Sequence, residues 1–312
     1  MLCNTTFHPD HDIPNLTGQV ILVTGGNAGL GFETIKQLAK HNPAQIYLAA
    51  RSAEKAETAI QELRKCEDVV MTAPISHLLF DLSSFESIRD AGARFKQCES
   101  RLDILIDNAG IMMTAEGLTE ESYEIQFGTN VMGHALLTQL LFPILQQTAT
   151  NTNPETRVVT LSSASESMAP GDIYNFAELK TIMSNRGTQA RYCISKLGNA
   201  HYSSAMHRHH HHRHKDVKFI CVHPGMVATN LHHASSGVFL RAFLYSATWA
   251  FATPLEKGAH SQIWAAVSLE ARSGDFYAPV GRAGRGSERS GSEELSEGLF
   301  WWVQEEIRPH LG

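Results

Sequence analysis

The chain has 312 residues, of which 43% are hydrophobic and 19% are charged, a balance that excludes a disordered or fibrous protein. Its formal net charge of -6 at pH 7 gives no general affinity for polyanions, so we predict no nucleic-acid partner. No stretch approaches the roughly 18 uninterrupted apolar residues that a membrane-spanning helix needs, so we predict no transmembrane segment.

The N-terminal residues 1–19 are polar, contain two prolines and lack an apolar core, unlike a signal peptide or a membrane anchor. The chain's five cysteines are scattered, odd in number and without CxxC spacing. Free thiols in a reducing compartment explain this pattern better than a disulfide framework does. We therefore expect a soluble, cytoplasmic protein.

Short apolar runs alternate with amphipathic segments from residue 19 onward. Each run is apolar on both faces, which predicts strands buried in a parallel sheet. The runs are Val20–Val23, Ile46–Ala49, Leu78–Phe80, Leu102–Ile106, Val158–Leu161 and Phe219–Val222. The alternation predicts a single α/β domain over residues 1–312: a Rossmann-type, doubly wound parallel sheet of about seven strands flanked by helices, with its core over about 18–280.

A glycine-rich turn, Thr24–Gly31, follows the first predicted strand and opens the first predicted helix. Glycines let the backbone approach a pyrophosphate, and a helix N-terminus supplies N–H groups and a positive dipole to hold it. Glycine also serves ordinary turns, but its place between strand and helix favours dinucleotide binding. The predicted cofactor-binding residues of this turn are Gly25, Asn27, Gly29, Leu30 and Gly31.

Arg51 follows the second predicted strand, where ribose discrimination is expected about 20 residues beyond the glycines. An acidic residue there would accept hydrogen bonds from both ribose hydroxyls of NAD. A guanidinium can instead pair with the 2′-phosphate of NADP. A solvated charge at the start of a helix is the alternative interpretation. The sequence therefore favours NADP(H) as the cofactor.

The ends of the third and fourth predicted strands supply further candidate cofactor contacts. Asp81 and Leu82 offer a carboxylate and a backbone amide to an adenine, although Asp81 would serve equally as a helix cap. Asn108, Ala109 and Gly110 follow the fourth strand, where small residues let a cofactor lie close over the backbone.

Tyr192 and Lys196 are four residues apart at the start of a helical pattern, so they share one helix face. A free phenol, with a pKa near ~10, is a poor base at neutral pH. A nearby ammonium and the positive ring of an oxidised nicotinamide both favour the phenolate. We therefore expect Tyr192 to be an acid/base group with a lowered pKa.

The last third of the chain contains three segments with distinct compositions. The run His207–His214 is interpreted as a solvated surface loop, and no metal site is predicted because no Cys or carboxylate spacing completes one. Residues 226–256 are rich in aromatic and aliphatic side chains and predict an apolar substrate lid, although a packed helix or a dimer interface explains them as well. In the C-terminal extension 281–312, we expect Arg282–Glu297 to be mobile and Leu299–Ile307 to dock as an amphipathic helix.

The chain resembles the short-chain dehydrogenase/reductase family from about Gly18 through Pro279. The shared motifs occur in the family's order: Thr24–Gly31, Asp107–Gly110, Asn130, Leu161–Ser163, Tyr192–Lys196 and His223–Gly225. Within the family the chain looks most like retinol-dehydrogenase-like and fungal secondary-metabolism members. Phe127–His134 and Thr253–Ala259 are the stretches that carry this likeness.

The resemblance implies a role for each matching residue. Tyr192 would be the general acid/base, and Lys196 would bind the nicotinamide ribose and lower the pKa of the phenol. Ser163 would bond the substrate oxygen, with Ser162 as the competing choice, and Asn130 would hold a proton-relay water. Asn130 could instead cap or kink its helix, and Ser163 could simply end its strand. The residues implied to border the nicotinamide are Pro224, Gly225, Val227 and Thr229.

Two features qualify the resemblance. Asp107 stands where the family usually has asparagine, which we expect to alter a local hydrogen bond rather than hydride transfer. The membrane anchor common among retinol-dehydrogenase-like members is not evident, which weakens any transfer of retinoid specificity. The apolar residues Val131, Leu136, Leu137, Leu140 and Leu141 fit either a helix-pair homodimer, which the family often forms, or the chain's own core.

The predicted function is an NADP(H)-dependent oxidoreductase that interconverts a ketone or aldehyde and an alcohol. The composition of residues 226–256 suggests a bulky, largely apolar small-molecule substrate, such as a polyketide, a terpenoid or a steroid- or retinoid-like compound. An epimerase or dehydratase that uses the cofactor transiently is an alternative on the same fold. A non-catalytic NADP-sensing protein is a second alternative, disfavoured because Tyr192 and Lys196 are both present.

Overall fold

A computed structural model describes residues 6–66, 70, 72–152, 156–211, 217–225, 227, 253–284 and 286–312. Within these ranges one sheet contains eight strands in the order β3-β2-β1-β4-β5-β6-β7-β8. The strands are β1 Val20–Thr24, β2 Gln45–Ala50, β3 Ile75–Leu79, β4 Ile104–Asp107, β5 Thr156–Leu161, β6 Val217–Val222, β7 Phe276–Ala278 and β8 Arg282–Ala283. β8 alone pairs antiparallel, to β7.

Helices cover both faces of this sheet. They are α1 Pro9–Asp12, α2 Gly29–Ala39, α3 Ala53–Leu63, α4 Phe85–Cys98, α5 Ile125–Phe127, α6 Gly133–Thr152, α7 Thr188–His211, α8 Leu255–Val267 and α9 Glu293–Ile307. One apolar core joins the sheet to α4, α6, α7 and α9, and a second joins the opposite face to α2, α3 and α8. The architecture confirms the predicted doubly wound α/β fold.

The central strands form where both faces are buried, and three of the helices begin at serine caps. β1, β4 and β5 are buried along their whole length, as expected for central strands of a parallel sheet. Ser52, Ser84 and Ser292 each accept a backbone N–H in the first turn of α3, α4 and α9. Strand order reverses between β1 and β4, so a crevice opens at the carboxyl ends of these strands.

The C-terminal extension is more structured than its composition suggests. Arg282–Glu297 was expected to be mobile, but it contains β8 and the start of α9. α9 packs against α7 and buries Leu299, Phe300 and Val303 in the core, as predicted for a docked amphipathic helix. The prediction of a mobile tail is wrong because small polar residues of this segment make specific hydrogen bonds.

The interpretation of the histidine run as a loop is wrong for residues 207–211, which extend α7. His209 stacks on Phe300 with ring centroids 4.1 Å apart, and its Nε2 lies 2.7 Å from a carboxylate oxygen of Glu297. His207 Nδ1 lies 2.8 Å from Ser273 Oγ. These contacts hold the end of α7 to the body of the protein. The remainder of the run, residues 212–214, lies outside the described residues.

Two further predictions concern association and substrate access. The apolar residues Val131, Leu136, Leu137, Leu140 and Leu141 are all buried in the chain's own core, which accounts for them without a dimer. Most of the predicted lid over residues 226–256 lies outside the described residues. Among the helices that the structure describes, none combines the length and apolarity needed to cross a membrane.

Candidate active site

A cavity of about 400 Å³ occupies the crevice at the carboxyl ends of β1 to β4. Its position is the one where open α/β sheets bind their ligands. The lining includes the following residues predicted to bind the cofactor: Gly25, Asn27, Gly29, Leu30, Arg51, Asp81, Leu82, Asn108, Ala109 and Gly110. Local patterns read from separate parts of the sequence thus converge on one surface.

The glycine turn has the geometry of a phosphate cradle. Gly25 and Gly29 adopt φ of 66° and 58°, in the left-handed region that favours glycine. A Cβ at Gly31 would lie 2.4 Å from the carbonyl oxygen of Gly25, so no larger residue fits there. No side chain caps the N-terminus of α2, which begins here. Its first N–H groups therefore fit the pyrophosphate of a dinucleotide.

The floor of the cavity is held by a network that the sequence did not predict. Asn108 Nδ2 donates to the carbonyl oxygen of Thr24 at 2.7 Å, and the Ala109 N–H donates to Thr24 Oγ1 at 2.9 Å. His134 Nε2 lies 2.9 Å from the same hydroxyl. Gln262 of α8 donates to Asn108 Oδ1 at 3.2 Å. Thr24 lies within the recognised turn, but no local signal points to His134 or Gln262.

Arg51 lies at the rim of the cavity with 76% of its side chain exposed. Its guanidinium is 4.0 Å from a carboxylate oxygen of Asp81, too loose a contact to fix the side chain. Asp81 also accepts hydrogen bonds from the N–H and hydroxyl of Ser83, whereas Ser84 is the residue that caps α4. Asp81 therefore organises the turn beside the cavity without being the helix cap.

Tyr192 and Lys196 lie on α7 with both side chains buried. The ammonium nitrogen of Lys196 is 5.9 Å from the centroid of the Tyr192 ring and donates to the Leu161 carbonyl at 2.9 Å. Burial lowers the pKa of Lys196 to about 8. Burial also raises the pKa of Tyr192 to about 12, while the neighbouring Ser163 side chain acts in the opposite direction. The protein's own groups therefore do not lower the pKa of Tyr192 as expected, because desolvation of the phenol outweighs their effect.

The two adjacent serines after β5 have different environments. Ser162 is buried and its hydroxyl donates to the Lys196 carbonyl at 2.7 Å, so it fastens β5 to α7. Ser163 caps the 3-10 turn Ala164–Met168, and its hydroxyl oxygen accepts the Ser165 N–H at 3.2 Å. Of the two serines, Ser163 is the one that acts on the pKa of Tyr192, and its bond to the substrate oxygen stays a prediction.

Asn130 lies in a π-helical turn, Gly128–Met132, between α5 and α6. Its side-chain amide donates to the Ile111 carbonyl at 3.0 Å and to Ser195 Oγ at 2.9 Å, and its oxygen accepts the Ile111 N–H at 2.8 Å. Asn130 therefore fixes the loop after β4 beside α7, and the helix does change geometry at this residue. The proton-relay water implied for Asn130 stays a prediction.

The predicted nicotinamide contacts after β6 are only partly described. Pro224 and Gly225 leave the carboxyl end of β6, and Gly225, with φ of 88°, donates its N–H to His223 Nδ1 at 2.9 Å. Val227 forms an isolated bridge with Thr253. These residues emerge at the same sheet edge as the cavity but are not part of its described lining. Thr229 lies outside the described residues.

A buried ion pair fixes the start of α7 just before Tyr192. Arg191 Nη1 lies 3.3 Å from Glu124 Oε1, with side-chain exposures of 3% and 0%. The guanidinium also donates to the Thr114 carbonyl at 3.4 Å, which joins the loop after β4 to the same helix. Sequence reasoning missed this pair because its members are separated by 67 residues. The ion pair holds the first turn of α7, which carries Tyr192.

Asp107 is buried at the end of β4, behind the cavity. Thr138 Oγ1 donates to Asp107 Oδ2 at 3.2 Å, whereas Oδ1 has no partner among the described residues. Burial raises the pKa of Asp107 to about 8, so the carboxyl group is mainly protonated at neutral pH. That this residue alters a local hydrogen bond relative to asparagine stays a prediction.

Replacing Asp107 with asparagine is expected to flatten the pH dependence of stability. In the native protein this carboxyl keeps its proton from about pH 4 to about pH 8, whereas in the unfolded chain it loses the proton near its ordinary pKa of 3.8. The free energy of unfolding of the wild type should therefore fall as the pH rises through this window, by up to about 1.4 kcal/mol per pH unit. Urea unfolding of both proteins at several pH values measures the difference, and parallel profiles would contradict the assignment.

Comparison with known proteins agrees with this geometry. The short chain dehydrogenase family model matches residues 19–237. A short-chain dehydrogenase/reductase of Armillaria gallica is 36% identical over 299 residues, which cover 94% of this chain and 92% of that protein. Human retinol dehydrogenase 11 is 33% identical over 264 residues, which cover 84% of this chain and 77% of that protein. Both the fungal and the retinol-dehydrogenase likeness are confirmed.

Solved structures share the fold at lower sequence identity. The Pseudomonas aeruginosa RhlG/NADP active-site complex has a TM-score of 0.66 at 22% identity and covers 87% of this chain and 98% of its own. The 3-ketoacyl-(acyl-carrier-protein) reductase of Brucella melitensis complexed with NADH has a TM-score of 0.63 at 20% identity and covers 88% and 99%. On the family match and the identity to its relatives, the chain belongs to the short-chain dehydrogenase/reductase family of oxidoreductases.

Proposed function

We propose that the chain is an NADP(H)-dependent oxidoreductase that interconverts a ketone or aldehyde and the corresponding alcohol. The observation that carries this proposal is that Ser163, Tyr192 and Lys196 lie together, with Nζ of Lys196 beside Gly110, which lines the cavity. Each residue alone has a structural explanation. Their convergence gives an oxygen-binding hydroxyl, a proton donor and a buried cation in one place.

A bound nicotinamide supplies or accepts hydride at the carbon that bears the oxygen. The hydroxyls of Ser163 and Tyr192 hold that oxygen, and Tyr192 gives it a proton in reduction or takes the proton from the alcohol in oxidation. The Lys196 ammonium stabilises the phenolate that remains. With its pKa lowered to about 8, Lys196 still carries most of its charge at neutral pH. The buried site keeps both groups away from competing water.

The preference for NADP(H) rests on Arg51. Its exposed guanidinium at the end of β2 can turn to a 2′-phosphate without breaking a strong contact, because its nearest carboxylate is 4.0 Å away. The relatives do not decide the matter, since RhlG was solved with NADP and the ketoacyl reductase with NADH. The charge at residue 51 supports the phosphorylated cofactor.

A bulky, largely apolar substrate fits the surroundings of the site. Met168, in the turn that begins at Ser163, leaves 58% of its surface exposed. In the sequence, residues 226–256 are rich in aromatic and aliphatic side chains, which supports an apolar substrate. A human relative is named for retinol, an apolar alcohol.

The free thiols of Cys66, Cys98, Cys193 and Cys221 support the proposal of a cytoplasmic protein.

A panel of ketones, aldehydes and alcohols, assayed with NADPH or NADH and their oxidised forms, tests the proposal. We expect a bulky apolar carbonyl compound to consume NADPH and yield an equimolar amount of alcohol, with NADPH preferred over NADH. Absence of turnover across the panel, or equal use of the two cofactors, would contradict the substrate class or the cofactor preference respectively.

A further inference from the structure

The C-terminal extension reaches the turn that carries Ser163. Glu166, in the middle of that 3-10 turn, is 2% exposed. Both of its carboxylate oxygens accept hydrogen bonds from Ser287: Oε1 from the backbone N–H at 2.8 Å and Oε2 from the hydroxyl at 2.5 Å. Ser287 lies beyond the residues that the family model matches. This contact joins the C-terminal extension to the turn that Ser163 caps.

Glu166 is linked to Ser163 through the turn itself. The Glu166 N–H donates to the Ser163 carbonyl at 3.1 Å, and the Ser165 N–H donates to Ser163 Oγ. The backbones of Glu166 and Ser163 are therefore held in one hydrogen-bonded turn. This turn packs against α7, and Ser163 lies close enough to the phenol of Tyr192 to lower its pKa.

A second contact holds the same loop of the extension. The guanidinium of Arg289 donates to the carbonyl of Ala169, at the end of the turn. The Arg289 carbonyl accepts from Nε2 of His201 on α7 at 2.7 Å. Because burial lowers the pKa of His201 to about 4, its ring is neutral, and Nδ1 accepts from the hydroxyl of Tyr174. The loop at Ser287–Arg289 thus spans from the serine turn to the helix that bears Tyr192.

We propose that Ser287, through the carboxylate of Glu166, positions the hydroxyl of Ser163 beside the phenol of Tyr192. Ser287 and Glu166 are positioning residues, since neither contacts the reacting atoms. A buried carboxylate that loses one of its donors reorients to recover a hydrogen bond, and the turn moves with it. The proposal rests on the proposed acid/base role of Tyr192.

The test is the ionisation of Tyr192 itself, measured in the presence of NADP⁺. The phenolate absorbance of each protein is titrated with pH, and the titration of the matching protein that also carries Tyr192→Phe is subtracted. We expect Ser287→Ala to raise the midpoint by about one pH unit, because weakening hydrogen bonds to the phenolate costs about 1 kcal/mol or slightly more. Ser287→Thr, which keeps the hydroxyl, should restore the wild-type midpoint.

The matched control is Ser292→Ala, which removes a hydroxyl from the same extension. Ser292 caps α9 by accepting the Leu295 N–H and does not contact Glu166. It should lower the thermal midpoint without moving the titration of Tyr192. Should Ser287→Ala fail to fold, Ser287→Cys keeps the size of the side chain and weakens the donor.

Two outcomes overturn the proposal: an unchanged Tyr192 midpoint in the Ser287 variant, or an equal shift in Ser292→Ala. The titration needs no substrate. A protein that shows no turnover on the carbonyl panel but has the predicted shift would therefore refute the proposed function and leave the positioning contact intact.

Discussion

Replacing Tyr192 with phenylalanine is expected to lower kcat by about 10²- to 10⁴-fold, the usual contribution of a general acid/base group. The substitution removes the hydroxyl and keeps the buried ring. NADPH affinity should change little, because the described cavity lining that fits the dinucleotide comes from the ends of β1 to β4 rather than from this ring. Steady-state kinetics on the best substrate of the panel, with NADPH binding followed by fluorescence, measures both quantities.

Tyr202→Phe is the matched control for this experiment. Tyr202 is also buried on α7, and its hydroxyl accepts from the side chains of Gln139 and Gln304 at 3.2 and 3.1 Å. Its removal should reduce stability by about 1 kcal/mol and leave kcat nearly unchanged. A Tyr192→Phe protein that retains most of its activity, or a Tyr202→Phe protein that loses as much, would refute the acid/base assignment.

Replacing Arg51 with aspartate is expected to reverse the cofactor preference. Loss of a charge-assisted contact to the 2′-phosphate should weaken NADPH binding by about 10- to 100-fold, and the new carboxylate adds repulsion. The same carboxylate can accept hydrogen bonds from the free ribose hydroxyls of NADH. Stability should hardly change, since Arg51 is exposed and its contact with Asp81 is loose.

The ratio of kcat/KM for NADPH to that for NADH is the measurement for Arg51. Arg64→Asp makes the same charge change at an exposed position just after α3 and serves as the control. Only the Arg51 variant should change the ratio. An unaltered ratio in the Arg51 variant would contradict the proposed contact between Arg51 and the 2′-phosphate.

The parts of the fold and site that sequence predicted are those encoded locally. Strands β1, β2, β4, β5 and β6 follow from short apolar runs, whereas β3 begins at Ile75, before its predicted run, and exposes Ser76 and His77. The glycine turn follows from its place between a strand and a helix. Tyr192 and Lys196 share a helix face because of their four-residue spacing. In each case the information lies within a few neighbouring residues, where backbone periodicity constrains the answer.

What sequence did not predict depends on contacts between distant segments. Gln262 reaches Asn108 across 154 positions, and Ser287 reaches Glu166 across 121. Serine, glutamate and glutamine in a polar tail are typical of solvent-exposed chain, so the extension was expected to be mobile. The raised pKa of Tyr192 was missed for a related reason: spacing places a cation nearby but does not report how deeply the phenol is buried.

Isotope tracing directly tests hydride transfer to a carbonyl carbon with proton delivery by Tyr192. The enzyme is incubated with a carbonyl substrate and NADPH that carries two deuterium atoms at the nicotinamide C4 position. We predict an alcohol with one deuterium on the carbon that bears the hydroxyl, formed in an amount equal to that of NADP⁺. The Tyr192→Phe protein should not form this product. A product formed while the deuterium stays on the cofactor, as in an epimerase or dehydratase that regenerates its cofactor, would contradict hydride transfer to the carbonyl carbon.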